Sequence, residues 1–301
     1  MISIVLDMMK KPSFAHVINS FITQPGHHLN FAQQVTVLSM KKASQFSQNT
    51  VNVGLYTAQF PEDSPAVPPD FITTPDLTRS FRDITSNDHA AKLPLLTDIL
   101  NALVISSSAD YLIYSNLDIA LMPNFYETVQ AIADAGHDAF VINRRTISND
   151  YQRLEDLPYM YAEPGELHRG WDCFIFRRGL LPLLELDQVC IGAPLVGLVF
   201  YANLAVYAEN FKEFTDLHLT FHLGDDRVWS QPKHEPALIH NRKIALKILS
   251  SLQTKFPGKF NKFHPLTKYL RWHQNPLLSS IYDDILMRIF IPARYTRWNR
   301  G

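Results

Sequence analysis

At 301 residues, with 46% hydrophobic and 19% charged side chains, the chain is long enough to bury a large core as one α/β domain or two smaller ones, which excludes a disordered or fibrous polymer. Two cysteines, Cys173 and Cys190, are too few for a disulfide framework or a thiolate zinc site and favour a reducing compartment; Met1–Lys11, interrupted by Asp7, lacks a secretory signature, so a cytoplasmic location is expected. The net charge of −1 hides a division: residues 241–301 hold twelve Lys or Arg against two acids, a balance of +10, so residues 1–240 carry −11.

Phe14–Ile22 alternates as a strand does and runs into a Pro25-Gly26 turn. Residues 31–47 place Val35, Leu38 and Phe46 among polar side chains at helical spacing, with Asn30 as the expected cap. Val51–Phe60 reads as a strand, and the prolines from Pro61 to Pro75 make 61–76 a loop. Residues 88–107 are expected to be helical, with Leu93, Leu96, Ile99, Leu100 and Leu103 on one face behind Asn87 or Asp88. A strand over 110–118 is followed by a helix over 124–135 after Pro123, and then by a short strand, Asp138–Asn143.

The polar stretch 146–167 reads as a loop, of a length that is uncommon unless it covers or forms a site. A strand follows the Gly170 turn, through Cys173–Arg177, and a last one covers Leu217–Leu223. This alternation of strand and helix predicts an α/β fold with a mainly parallel open sheet and right-handed crossovers. Gln188–Ala208 contains no charged residue over a length that could cross a bilayer. Gly192, Pro194, Gly197 and Asn203 dilute it, and a buried core helix is favoured over a membrane span.

In the basic tail, cations alternate with aromatics, as in Lys268-Tyr269-Leu270-Arg271-Trp272 and Arg294-Tyr295-Thr296-Arg297-Trp298. Two readings stand side by side: a basic helical cap on an acidic body, or a surface for peripheral contact with anionic headgroups. No nucleic-acid-binding motif is present, and nucleic acid is not an expected partner.

The most informative segment is 109–126, where an apolar run stops at Asn116-Leu117-Asp118. It reads either as a strand ending in an ordinary Asx turn or as a strand delivering oxygen ligands to the carboxyl end of a sheet, where open α/β folds bind their ligands. Hard oxygen donors there suit Mg²⁺ or Mn²⁺ on a diphosphate. Leu217–Leu223 ends similarly in His222-Leu223-Gly224-Asp225-Asp226-Arg227, so Asp118 and His222 could meet as metal ligands. Gly224 would let the backbone approach a phosphate, and Arg227 would offset its charge.

Asp172, after Gly170-Trp171, is the candidate base for an acceptor hydroxyl beside a ring able to stack a sugar. The structural alternative is a turn-capping Asp next to a core Trp. Arg144 and Arg145 either contact phosphates or pair with Glu155, Asp156 or Glu163. His27-His28 and His234/His240 lack zinc-hydrolase spacing, and the loops of P-loop NTPases, dinucleotide oxidoreductases and α/β-hydrolases are absent.

On these residues the chain resembles the nucleotide-sugar glycosyltransferases of the GT-A fold. Asn116-Leu117-Asp118 looks like their Asp-x-Asp strand end with Asn in the first place, and His222-x-Gly224 followed by Trp229 is similar to the His-x-x-Gly-x-x-Lys-Pro-Trp ending of the glycogenin-like branch. The resemblance implies a catalytic domain over residues 1–240 and a basic extension over 241–301. It makes Asp118 and His222 ligands of Mn²⁺ or Mg²⁺ on a nucleotide-diphosphate sugar, with Asn116 contacting ribose or metal, while Gly224 and Arg227 stay the phosphate contacts read above and Asp172 serves the acceptor, whether glycan, lipid-linked or small molecule. Two other outcomes stay open: a sugar-phosphate nucleotidyltransferase, or an inactive relative that only binds nucleotide or sugar.

Overall fold

The computed structural model describes residues 11–23, 26–85, 90–224 and 235–273. Strands β1 (Ser13–Asn19), β2 (Asn52–Ala58), β3 (Ile72–Thr73), β4 (Tyr111–Ser115), β6 (Ala139–Ile142), β9 (Cys173–Arg177) and β10 (Phe211–Phe214) form a seven-stranded sheet in the order β10-β6-β9-β4-β1-β2-β3. Only β9 runs against its neighbours, pairing antiparallel with β4 and β6. A second sheet, in the order β5-β11-β7-β8, joins β5 (Ala120–Leu121), β11 (Thr220–Leu223), β7 (Arg145–Ile147) and β8 (Glu166–Leu167).

Helices cover both faces of the larger sheet, as parallel strands with hydrophobic faces require. On one side α1 (His28–Ser47) and α4 (Phe125–Asp134) pack on Phe14, Ile18 and Ile113. On the other, α3 (Leu96–Ser106), α6 (Val196–Tyr207), α7 (Glu235–Lys255), α8 (Pro257–Phe260) and α9 (His264–His273) close over Val17, Leu112 and Phe174. Two short helices, α2 (Phe81–Thr85) and α5 (Leu157–Ala162), complete the described elements.

The apolar 188–208 stretch resolves into α6, nearly all of it buried. Its one amide, Asn203, accepts from the backbone N–H of Glu185 and donates to the carbonyl of the same residue, which is how a polar group stays satisfied inside an apolar helix. No helix among the described residues is long and apolar enough to cross a membrane.

Several local expectations differ from the structure. The cap of α1 is His27, whose Nδ1 accepts from Leu29 N at 3.2 Å, while Asn30 lies inside the first turn. α3 starts at Leu96: Pro94 biases the preceding chain to extended conformation, and isolated bridges Ser80↔Pro94 and Leu95↔Cys190 hold it there. Residues 146–167 are a folded arm, not a loop: Ile147, Leu157 and Met160 pack with Val35, Ala120 and Phe221 in one cluster. Strand β10 carries no alternating pattern long enough to predict it.

The charge shift at residue 241 is not a packing boundary. Residue 240 falls inside α7, and Ile244, Ala245, Ile248, Leu249 and Leu252 enter the same core as α6, followed by Phe260, Leu266 and Leu270. Arg294–Trp298 lies outside the described residues.

Candidate functional site

The carboxyl end of β4 and the amino end of β9 meet because the two strands are antiparallel, with Ser115 opposite Cys173. One residue further, Asn116 N donates to the Asp172 carbonyl at 3.0 Å. The chain then turns through Asn116-Leu117-Asp118-Ile119, closed by Ile119 N on the Asn116 carbonyl at 3.1 Å. The turn carries Asp118 off the end of the strand.

Asp118 and His222, 104 positions apart in sequence, come into contact, with His222 Nε2 3.1 Å from Asp118 Oδ2. β5 is the reason. It follows the turn directly and pairs antiparallel with β11, whose end carries His222. The other ring nitrogen, Nδ1, lies 2.7 Å from the Gly224 carbonyl. Both nitrogens therefore face oxygen acceptors.

With Nδ1–H donating to Gly224, the neutral ring turns a lone pair toward Asp118, and two lone pairs at that distance need a cation between them, either a proton on the ring or a metal ion. A carbonyl holding the far nitrogen of a histidine is also the usual support of a metal ligand. Among the described residues Asp118 Oδ1 is buried and has no hydrogen-bond partner, which is costly unless something else satisfies it.

Burial pushes the Asp118 carboxyl up, but the His222 charge and hydrogen bond, helped by Arg144, outweigh it and bring it down to about 2. The group is an anion at neutral pH. Two protein donors, an anionic carboxylate and an imidazole with its second nitrogen fixed, fit a divalent ion that leaves most of its positions open. Among the described residues no three His, Cys, Asp or Glu side chains cluster at metal-binding distance, so further ligands would have to come from substrate or water.

Asn116 does not join Asp118. Its Nδ2 donates to Asp172 Oδ1 at 2.9 Å, and its Oδ1 accepts from the Tyr114 hydroxyl at 3.0 Å. Asp172 Oδ2 accepts from Arg144 Nη1 at 2.8 Å, with both side chains nearly buried, 12% and 13% exposed. Arg144 thus pairs with neither Glu155, Asp156 nor Glu163, while Arg145 donates to the Pro164 carbonyl at 2.9 Å. Trp171 packs rather than standing free: its ring stacks on Tyr201 with centroids 4.4 Å apart, and its N–H donates to Glu213 Oε1 at 2.8 Å.

These groups open into one cleft of about 1300 Å³, lined by Asn116, Asp118, Arg144, Trp171, Asp172 and His222 among others. Its walls come from the ends of β1 and β2, the arm around Tyr151 and the start of α6. Gly224 is not on the lining. It sits at φ +68°, where an L side chain is strained, and an added Cβ would lie 3.0 Å from Asn149 Cβ, so its structural role is to bring its carbonyl to His222. Arg227 and Trp229 lie outside the described residues.

Sequence reasoning missed Glu213, which accepts from Asn143, Trp171 and Tyr201 together. No local motif marks it, since its three donors come from three separate stretches of chain.

No family model matches the sequence, and no curated protein does. Among solved structures the chain is similar to S. aureus TarS 1–349 in complex with UDP-GlcNAc, at TM-score 0.47 and 9% identity over 80% of this chain and 66% of that one. It is similar to the same fragment in complex with UDP at 0.44 and 8%, over 80% and 72%. Against a longer S. aureus TarS structure the values are 0.41 and 8%, and this chain spans 43% of its length.

Proposed function

We propose that this chain is a glycosyltransferase that moves a sugar from a nucleotide-diphosphate donor to an acceptor hydroxyl. The observation that carries this reading is the Asp118–His222 contact at the carboxyl end of the sheet, with Asp118 Oδ1 buried and without a hydrogen-bond partner among the described residues, beside a cleft of about 1300 Å³. Apolar cores do not retain such an arrangement for stability, because an unsatisfied buried carboxylate oxygen costs free energy.

Asp118 and His222 would hold Mg²⁺ or Mn²⁺, which when bound supplies positive charge to the departing diphosphate, the largest electrostatic demand of the transfer. Arg144, partly buried beside it, adds a fixed cation near the same wall. Asp172, turned into the cleft, takes the proton of the acceptor hydroxyl as the sugar–oxygen bond forms. Arg144 and Asn116 hold that carboxylate in place, and Trp171 walls the acceptor side.

The test is a calorimetric titration of UDP and of GDP, each with and without Mn²⁺, on the chain and on Asp118→Ala, followed by donor turnover with and without acceptors. Metal-dependent binding that the substitution abolishes, together with turnover, supports the reading. Binding without turnover under any acceptor would assign the inactive alternative, and failure to bind either nucleotide would remove the donor site altogether.

A further inference from the structure

Asn116 occupies the place where the resembling family has the first acid of its Asp-x-Asp pair, which invites its description as a weakened metal or ribose ligand. The contacts around it say otherwise. Its backbone N–H donates to the Asp172 carbonyl at 3.0 Å, its Nδ2 to Asp172 Oδ1 at 2.9 Å, and its Oδ1 accepts from Tyr114 at 3.0 Å.

The orientation of the amide is forced. Only the NH₂ end can face a carboxylate, so the oxygen must face Tyr114, whose hydroxyl must then be the donor. Tyr114 is well suited to donate, since burial, with the nearby charges of Asp118 and Asp172, pushes its phenol far above the ordinary range and keeps it protonated. The second Asp172 oxygen is taken by Arg144, so the carboxylate is fixed from two sides and its remaining lone pairs are left for the cleft.

We propose that Asn116 is a positioning residue for Asp172, not a degenerate metal ligand, and that an aspartate is unsuited to position 116 because it would set two carboxylates at hydrogen-bonding distance, where they repel unless one takes up a proton. This assignment rests on the reading of Asp172 as the acceptor-side base. It also explains the departure from the family pattern: the amide offers a donor to Asp172 and an acceptor to Tyr114 from two separate atoms.

The experiment compares Asn116→Asp, the charge-swapped pair Asn116→Asp with Asp172→Asn, and Tyr114→Phe, which keeps the ring and removes the donor without a change of charge. The readouts are thermal midpoint without ligand, Mn²⁺-dependent binding of UDP or GDP, and donor turnover split into kcat and KM. In Asn116→Asp the midpoint falls, and the swap, which restores one donor facing one acceptor, recovers most of it. Nucleotide affinity with Mn²⁺ stays within about threefold, while kcat drops about 10- to 100-fold with donor KM little changed, the size expected for a misplaced base. The swap does not recover kcat, because it removes the Asp172 carboxylate, and Tyr114→Phe lowers kcat in the same sense.

Tighter Mn²⁺–nucleotide binding or faster turnover in Asn116→Asp would overturn the proposal, as would a swap that leaves the midpoint where the single change put it. If the native chain binds neither nucleotide, the glycosyltransferase reading fails by itself. The midpoint cycle still decides whether Asn116 holds Asp172.

Discussion

Glu213 Oε1 accepts the indole N–H of Trp171 at 2.8 Å, tying edge strand β10 to the wall of the cleft. The same carboxylate takes Asn143 Nδ2 at 3.0 Å and the Tyr201 hydroxyl at 3.1 Å, so three donors from three separate stretches of chain converge on one side chain. Glu213→Ala leaves all three unsatisfied. We expect it to cost about 2–3 kcal/mol, the range for stranded partly buried donors, read from urea midpoints. If Trp171 walls the acceptor side, as proposed, the substitution should in turnover raise acceptor KM more than donor KM.

Gly197 makes the neighbouring point sterically. A Cβ there would sit 2.7 Å from the Trp171 carbonyl, a backbone atom that cannot swing aside. Gly197→Ala should therefore separate α6 from the 171–172 segment and, if Asp172 is the proposed base, lower kcat about tenfold or more, since small displacements of a catalytic group carry large costs. An alanine variant with full activity would show that Asp172 does not need its observed position.

His16 gives the fold a dependence on pH unconnected with the cleft. Its ring is fully buried between Ser115 Oγ at 2.8 Å and the Tyr126 hydroxyl at 2.9 Å, and burial lowers it from 6.5 to about 3. The native state holds it neutral while the unfolded chain protonates it below 6.5, so stability is lost as pH falls from 6.5 toward 3, at up to about 1.4 kcal/mol per unit. Urea unfolding of the chain and of His16→Gln at pH 7.5 and pH 5 measures this. The native chain should lose about 2 kcal/mol more than the variant over that interval.

Truncation after residue 240 tests how the basic segment belongs to the fold. It removes Ile248, Leu249, Leu252 and Phe260 from the core shared with α6, each worth about 1.5–3 kcal/mol of burial. That sum is comparable to the usual net stability of a whole domain. The truncated chain should show no cooperative thermal transition. A folded 1–240 fragment would instead make the segment a separable cap.

The alternation of β1, α1, β2, β4, α4 and β6 was legible along the chain because each element carries its own period: strands buried on both faces read as apolar runs, and α4 follows Pro123 with an apolar stripe. So were Asp118 and His222, since both stand where apolar strands end in polar residues. What sequence could not show is where a side chain turns after the strand ends. Asn116 and Asp118 differ by two positions yet point to different partners, because a turn and not an extended strand separates them. Arg144 pairs with Asp172 over three acids nearer in sequence because β6 and β9 are hydrogen-bonded neighbours.

The sequence by itself determined the class of fold, the apolar faces and the residue types at the strand ends, all of which depend on local spacing. Only the tertiary structure decided that residues 241–273 complete the core, that 146–167 is a folded arm, and that Asn116 meets Asp172, Arg144 meets Asp172 and Glu213 meets Trp171. Those relations join residues tens of positions apart. Strand order and direction bring them within hydrogen-bonding distance, and no periodicity in the chain records strand order.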